Sequence, residues 1–150
     1  MSSHERGDVA GKVLLVMLLT AIAGAVASPW LLRSKRSPQE TQAIATLKQI
    51  HTAQMDHHGA SRIYASIPIL KDAKRLPASF RSDAFEMNRY RFTHTTAGSW
   101  QRWCAQAVPD SAEPKGSIYA IDESGIVKEF PAGTSPCYAG ELQSPGSPIR

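Results

Sequence analysis

The chain has 150 residues and a mass of 16.3 kDa, with 42% hydrophobic and 20% charged residues and a formal net charge of +4. That length holds one domain with an anchor or a tail and excludes a multidomain enzyme. The averages hide a division, because no charged residue falls between Val13 and Leu32.

The excess positive charge is equally local. From Arg33 to Arg150 there are 15 basic and 11 acidic residues, but from Ser37 onward the balance is 12 to 11. Three cations, Arg33, Lys35 and Arg36, follow the apolar run directly. A nucleic-acid binder carries its basic stripe across a folded face, so a near-neutral head argues against that class. Anionic lipid head groups suit such a cluster better.

Residues 1–12 read as a short leader. Residues 13–32 (VLLVMLLTAIAGAVASPWLL) then give twenty uncharged positions. At about 1.5 Å per residue they match a bilayer core of about 30 Å, so the segment reads as a transmembrane helix. Lys12 and Arg33 bracket it, and Trp30 sits at an interfacial position. Pro29 lies one turn from its end, where it kinks the helix. A cleaved secretory signal ending at Ala25-Val26-Ala27 is the alternative, although the apolar core is longer than such signals use. Sidedness stays open on these grounds. The basic residues after the span favour a cytoplasmic head, whereas the two cysteines, Cys104 and Cys137, are consistent with a disulfide in an oxidising compartment.

Residues 33–137 form the expected head. Ser37-Pro38-Gln39-Glu40 has the pattern of a capping box with proline in the first turn. Ala43, Ile44, Leu47, Ile50 and Ala53 follow at helical spacing, with Gln42, Lys48, Gln49 and Gln54 between them. An amphipathic helix is therefore predicted over about 37–57, ending before Gly59. Residues 60–88 read as irregular, with one or two helical turns between Ile69 and Arg75. A sheet is predicted over about 89–130. Its strands are Tyr90–His94, Trp100–Val108, Ser117–Ile121 and Ile126–Phe130, the last two joined by the turn Asp122–Gly125. Residues 138–150 read as a flexible tail. The expected fold class is α+β: a long N-terminal helix, its first half transmembrane, packed on a small antiparallel sheet of three or four strands.

Glu5-Arg6-Gly7, the apolar stretch, Pro29 and Trp30-Leu31-Leu32-Arg33-Ser34-Lys35 resemble the type IV pilin and type II secretion pseudopilin family. The resemblance extends to residues 40–54 (ETQAIATLKQIHTAQ) and loosely to 88–130. It implies a pilin-like fold and a processing site between Gly7 and Asp8 for a prepilin peptidase. It also implies a single-pass bacterial inner-membrane protein with its N-terminus in the cytoplasm and its head periplasmic or extracellular. The partners it implies are membrane lipid, other pilin-like subunits and their assembly machinery. Two positions depart from the family pattern. Asp8 replaces the usual aromatic residue or Met after the glycine, and Lys12 stands where the family has a glutamate that neutralises a neighbouring subunit's amine. Two like charges at 4 Å repel by about 4 kcal/mol at an effective dielectric of 20. The resemblance therefore implies a minor subunit of a type IV pilus or pseudopilus, not its repeating one. The alternative is a single-span anchored periplasmic binding or scaffold module that is neither cleaved nor polymerised.

The remaining candidates read as structural, and no cofactor or metal is expected. His51 and His58 share a helix face but lie two turns apart, too far for one metal ion, and His57 and Asp56 do not complete a set. His94 reads as a strand residue. The sequence has no G-x-S-x-G, H-E-x-x-H or P-loop pattern, so a non-enzyme is expected. Asp72, Asp122 and Glu123 read as turn carboxylates, and Asp122–Gly125 lacks the alternating oxygens of a calcium loop. Cys104 reads as a disulfide partner of Cys137 in preference to a nucleophile. Trp100 and Trp103, three apart in a predicted strand, should face opposite sides, one in the core and one exposed.

Overall fold

The computed structural model describes residues 36–110, 116–143 and 146–149. Helix α1 (Pro38–Ser61) opens with the expected capping box: Glu40 N–H donates to Ser37 Oγ (3.2 Å) and Ser37 N–H donates to Glu40 Oε2 (2.8 Å). Ala43, Leu47, Ile50, Ala53 and Gln54 form its buried stripe. Each fully buried Leu or Ile contributes about 1.5–3 kcal/mol. The helix runs past Gly59, where an end was expected. It stops at Arg62, whose left-handed backbone (φ 64°) lets its N–H donate to His58 O. A short second helix, α2 (Ile67–Asp72), follows.

The sheet is antiparallel. It comprises β1 (Ala84–Met87), β2 (Tyr90–Thr96), β3 (Trp103–Pro109), β4 (Ile118–Asp122) and β5 (Lys128–Phe130) in sequence order, with β8 (Ser147–Pro148) added beside β5. Strands β6 (Cys137–Tyr138) and β7 (Glu141–Leu142) pair separately as a hairpin.

The central strands are buried on both faces. Along β3 and β4, Trp103, Ala105, Ala107, Tyr119 and Ile121 face α1 and join the main core. Cys104, Ile118 and Ala120 face the other way, where they pack with Phe130, Cys137 and Leu142 in a second cluster under the β6–β7 hairpin. The unit from Arg36 onward is thus layered as helix, sheet and hairpin. The hairpin is fastened by the Cys104–Cys137 disulfide (Cα–Cα 5.7 Å) and by Cys137 N–H donating to Gln106 Oε1 (3.1 Å).

This corrects the expected fold class. Instead of a long N-terminal helix on three or four strands, a 24-residue helix covers a six-stranded sheet with a two-stranded hairpin behind it. Among the described residues no helix is long and apolar enough to cross a membrane. The predicted span at 13–32 lies outside the described residues. The missed strands are short, and their turns carry weak signals. β1 and β2 are joined by Asn88 and Arg89, both at positive φ (54° and 64°), where the commoner pair ends in glycine. Residues 138–150, expected as a tail, supply β7, which pairs with the adjacent two-residue β6, and β8, whose pairing with distant β5 leaves no local pattern.

Two outcomes test this layering. Replacing both cysteines with alanine should lower stability by about 3–4 kcal/mol in denaturant unfolding, from the loop entropy released. Gly140 has φ +80°, and an added Cβ would lie 2.2 Å from Ala97 N. Gly140→Ala should therefore destabilise by more than about 1 kcal/mol in the same assay.

Candidate functional site

The most concentrated chemistry lies under the C-terminal half of α1, where a buried glutamine, a buried histidine and an aspartate meet. Sequence spacing put Gln54 among the polar fillers of α1, yet it is fully buried. Its carboxamide Nε2 donates to Ala65 O (2.6 Å) while its Oε1 accepts from Ala65 N–H (3.0 Å). The remaining Nε2 hydrogen points at His94 Nε2, 2.7 Å away. That nitrogen must be an acceptor, so the His94 proton sits on Nδ1. From there it donates to Asp83 Oδ1 (3.0 Å), which also accepts from Ile67 N–H (2.7 Å). His94 N–H in turn donates to Asp83 O (2.7 Å).

His94 is therefore more than a strand residue. It links β2 to the segment before β1, and Gln54 links it to α1 and residue 65. Burial pushes the Asp83 carboxyl up, but the hydrogen bonds it accepts from His94 and Ile67 outweigh it and hold the group below its ordinary value of 3.8. Trp103 lies against this network, its ring centroid 5.7 Å from His94, 6.0 Å from His51 and 6.3 Å from Tyr64. Its indole N–H is buried, and among the described residues no acceptor reaches it.

An Asp–His pair next to a nucleophile would suggest hydrolysis. Here the histidine's free nitrogen is taken by a carboxamide already committed to backbone, and the ring is 4% exposed. The arrangement fixes three chain segments and leaves no nitrogen to accept a substrate proton.

The other candidates are scattered. Among the described residues no three His, Cys, Asp or Glu side chains are grouped to hold a metal. His58 stacks on Tyr64 (4.5 Å) while His51 lies against Gly125. Asp122 Oδ1 accepts from Ser124 N–H, and Glu123 pairs with Arg102 (3.2 Å). Asp72 is exposed. Trp103 is core, as one of the pair was expected to be. Trp100, however, lies outside the strand, in a turn at φ 57°, and is 39% exposed. A groove of about 500 Å³ at the β1–β2 turn includes Arg91, already paired with Glu86 (3.2 Å). Of the membrane-related candidates, Arg36 is described and exposed; Gly7, Asp8, Pro29, Arg33 and Lys35 lie outside the described residues. Gln54 and Asp83 were missed. The one available signal was Gln54 lying on the Leu47–Ile50 stripe, seven residues after Leu47.

No protein-family model, curated protein or solved structure matches the chain.

Replacing Gln54 with leucine strands both backbone groups of Ala65 and His94 Nε2. A loss of about 3 kcal/mol is expected in denaturant unfolding. The pH dependence has a definite sign. Asp83 has its folded value below its unfolded one, so the stability it contributes is full above pH 3.8 and falls away as pH drops through the folded value. Asp83→Asn should therefore lower stability at neutral pH and flatten the acid limb of a stability–pH curve below 3.8.

Proposed function

We propose that this protein is a membrane-anchored pilin-like subunit, a minor component of a type IV pilus or type II secretion pseudopilus, that acts by packing and assembly. The observation that carries the reading is where the head begins. The capping box opens α1 at Ser37, immediately after the cations Arg33, Lys35 and Arg36 that close the apolar run. The anchor, the lipid-facing cluster and the first helix of the head thus follow one another in sequence without a linker. The Cys104–Cys137 disulfide supports a head in the periplasm or outside the cell, where such bonds persist. The commitment of the buried His94 ring to Gln54 and Asp83 supports a structural role over a catalytic one.

A second reading has its own observation. Lys12 adds a cation where the family's glutamate removes one, which favours a permanently anchored scaffold or binding module that is never polymerised.

The test is the mass of the mature chain purified from membranes that contain an active prepilin peptidase. Loss of residues 1–7, leaving Asp8 at the N-terminus, is the expected result. An intact leader would replace this reading with the scaffold one. Loss through Ala27 would overturn both.

A further inference from the structure

We infer that the cationic flank around α2 docks onto the acidic β4–β5 turn of a second copy of this chain. The inference rests on the subunit reading above for its setting, and it adds which surfaces of two copies meet.

The near-neutral head is strongly polarised. Residues 62–81 carry five Lys and Arg against one acid, Asp72. Residues 116–143 carry one cation, Lys128, against four acids, Asp122, Glu123, Glu129 and Glu141. The cations of α2 and these acids lie on opposite sides of β3 in the sheet order, with α1 packed over β3 and β4, while Arg62 and Tyr64 sit between them at the β2–β3 turn. On one flank, α2 is tied to the β1–β2 side: Ile67 N–H donates to Asp83, and the Phe80 ring meets Phe85 at 5.1 Å. On the other, the Asp122–Gly125 turn lies against His51, close enough that a Cβ on Gly125 would be 2.9 Å from its ring.

Each flank is left incomplete. Arg75 Nε is buried, and among the described residues no acceptor reaches it. Burial first, and the nearby Arg75 guanidinium second, hold His57 below its ordinary value. On the acidic flank, Glu123 and Glu141 share the single cation Arg102 (3.2 and 2.7 Å), with Asp122 beside them. Exposed apolar side chains accompany both charges: Ile69 (46% exposed) on the first, Ile126 and Tyr138 (73% exposed) on the second. Apolar groups beside complementary charge give a contact both adhesion and register.

The surfaces differ, so the contact is heterologous. Lipid fits the cationic flank less well. At about 1.5 Å per residue α1 is about 36 Å long and α2 follows its far end, and the chain itself supplies the complementary acids.

The test is a charge swap on the full chain in a non-ionic detergent, with self-association followed by sedimentation velocity. The parent should associate reversibly, and the association should weaken with added salt. Lys71→Glu with Lys74→Glu should weaken it about tenfold or more, and so should Asp122→Lys with Glu123→Lys, because each places like charges together. Mixing the two variants pairs a reversed flank with a reversed turn and should restore association, which also shows that both are folded. A parent that does not associate, association indifferent to salt, variants that associate as the parent does, or a mixture that stays apart would each overturn the inference. So would association that appears only on adding anionic lipid. A chain that self-associates through these charges yet keeps residues 1–7 would uphold this contact and remove the filament reading. A processed chain whose association ignores them would do the reverse.

Discussion

A single buried carboxamide organises the head. Gln54 satisfies both backbone groups of Ala65 and occupies the acceptor nitrogen of His94. An amide buried without partners costs several kcal/mol, so the side chain is tolerated at the C-terminal end of the α1 stripe only because all three groups arrive together. That requirement fixes where the chain turns back after α1 and where β2 lies beneath it. The His94 proton is then directed onto Asp83, which anchors the start of α2 through Ile67 N–H. One polar choice in the helix thus sets the tautomer of a histidine, the charge state of an aspartate and the path of the connection between helix and sheet.

The layering follows from the same economy of burial. β3 and β4 present apolar residues on alternate faces, so each face needs a cover. α1 covers one with Leu47 and Ile50. The β6–β7 hairpin covers the other, and four strand residues alone would hold it weakly. The disulfide to Cys104 fastens its first strand to the middle of the sheet.

How much of this was legible follows from how far each feature reaches along the chain. The capping box at Ser37 and Glu40, the Leu47–Ile50 stripe and the position of the β4–β5 turn depend on neighbours in sequence, and each can be read from local pattern. The end of α1 could not. Gly59 looks like a stop, but the helix continues until Arg62 turns left-handed and caps it. Nor could the network, because Gln54 meets His94 across forty residues. A glutamine at that spacing reads as a solvent-side filler until the chain returns over it. The sheet grew from the expected three or four strands to six for the same reason. β1 hides behind a turn without glycine, and β8 is defined only by its pairing with β5.

The two covers also decide which surfaces remain for a partner. Neither face of β3 and β4 is open for another sheet to stack on. The sheet edges are poor templates as well. β1 is four residues long and turns the charged Glu86 outward, and β8 is two residues long and ends in Pro148, which has no N–H to donate. Strand addition would gain few hydrogen bonds at either edge. What is left is side-chain chemistry at the turns and along the flanks of α1, and that is where the charge has separated: cations around α2, acids at the β4–β5 turn. A head built this way associates through complementary side chains, not through its backbone, so its contacts should be reversible and responsive to ionic strength.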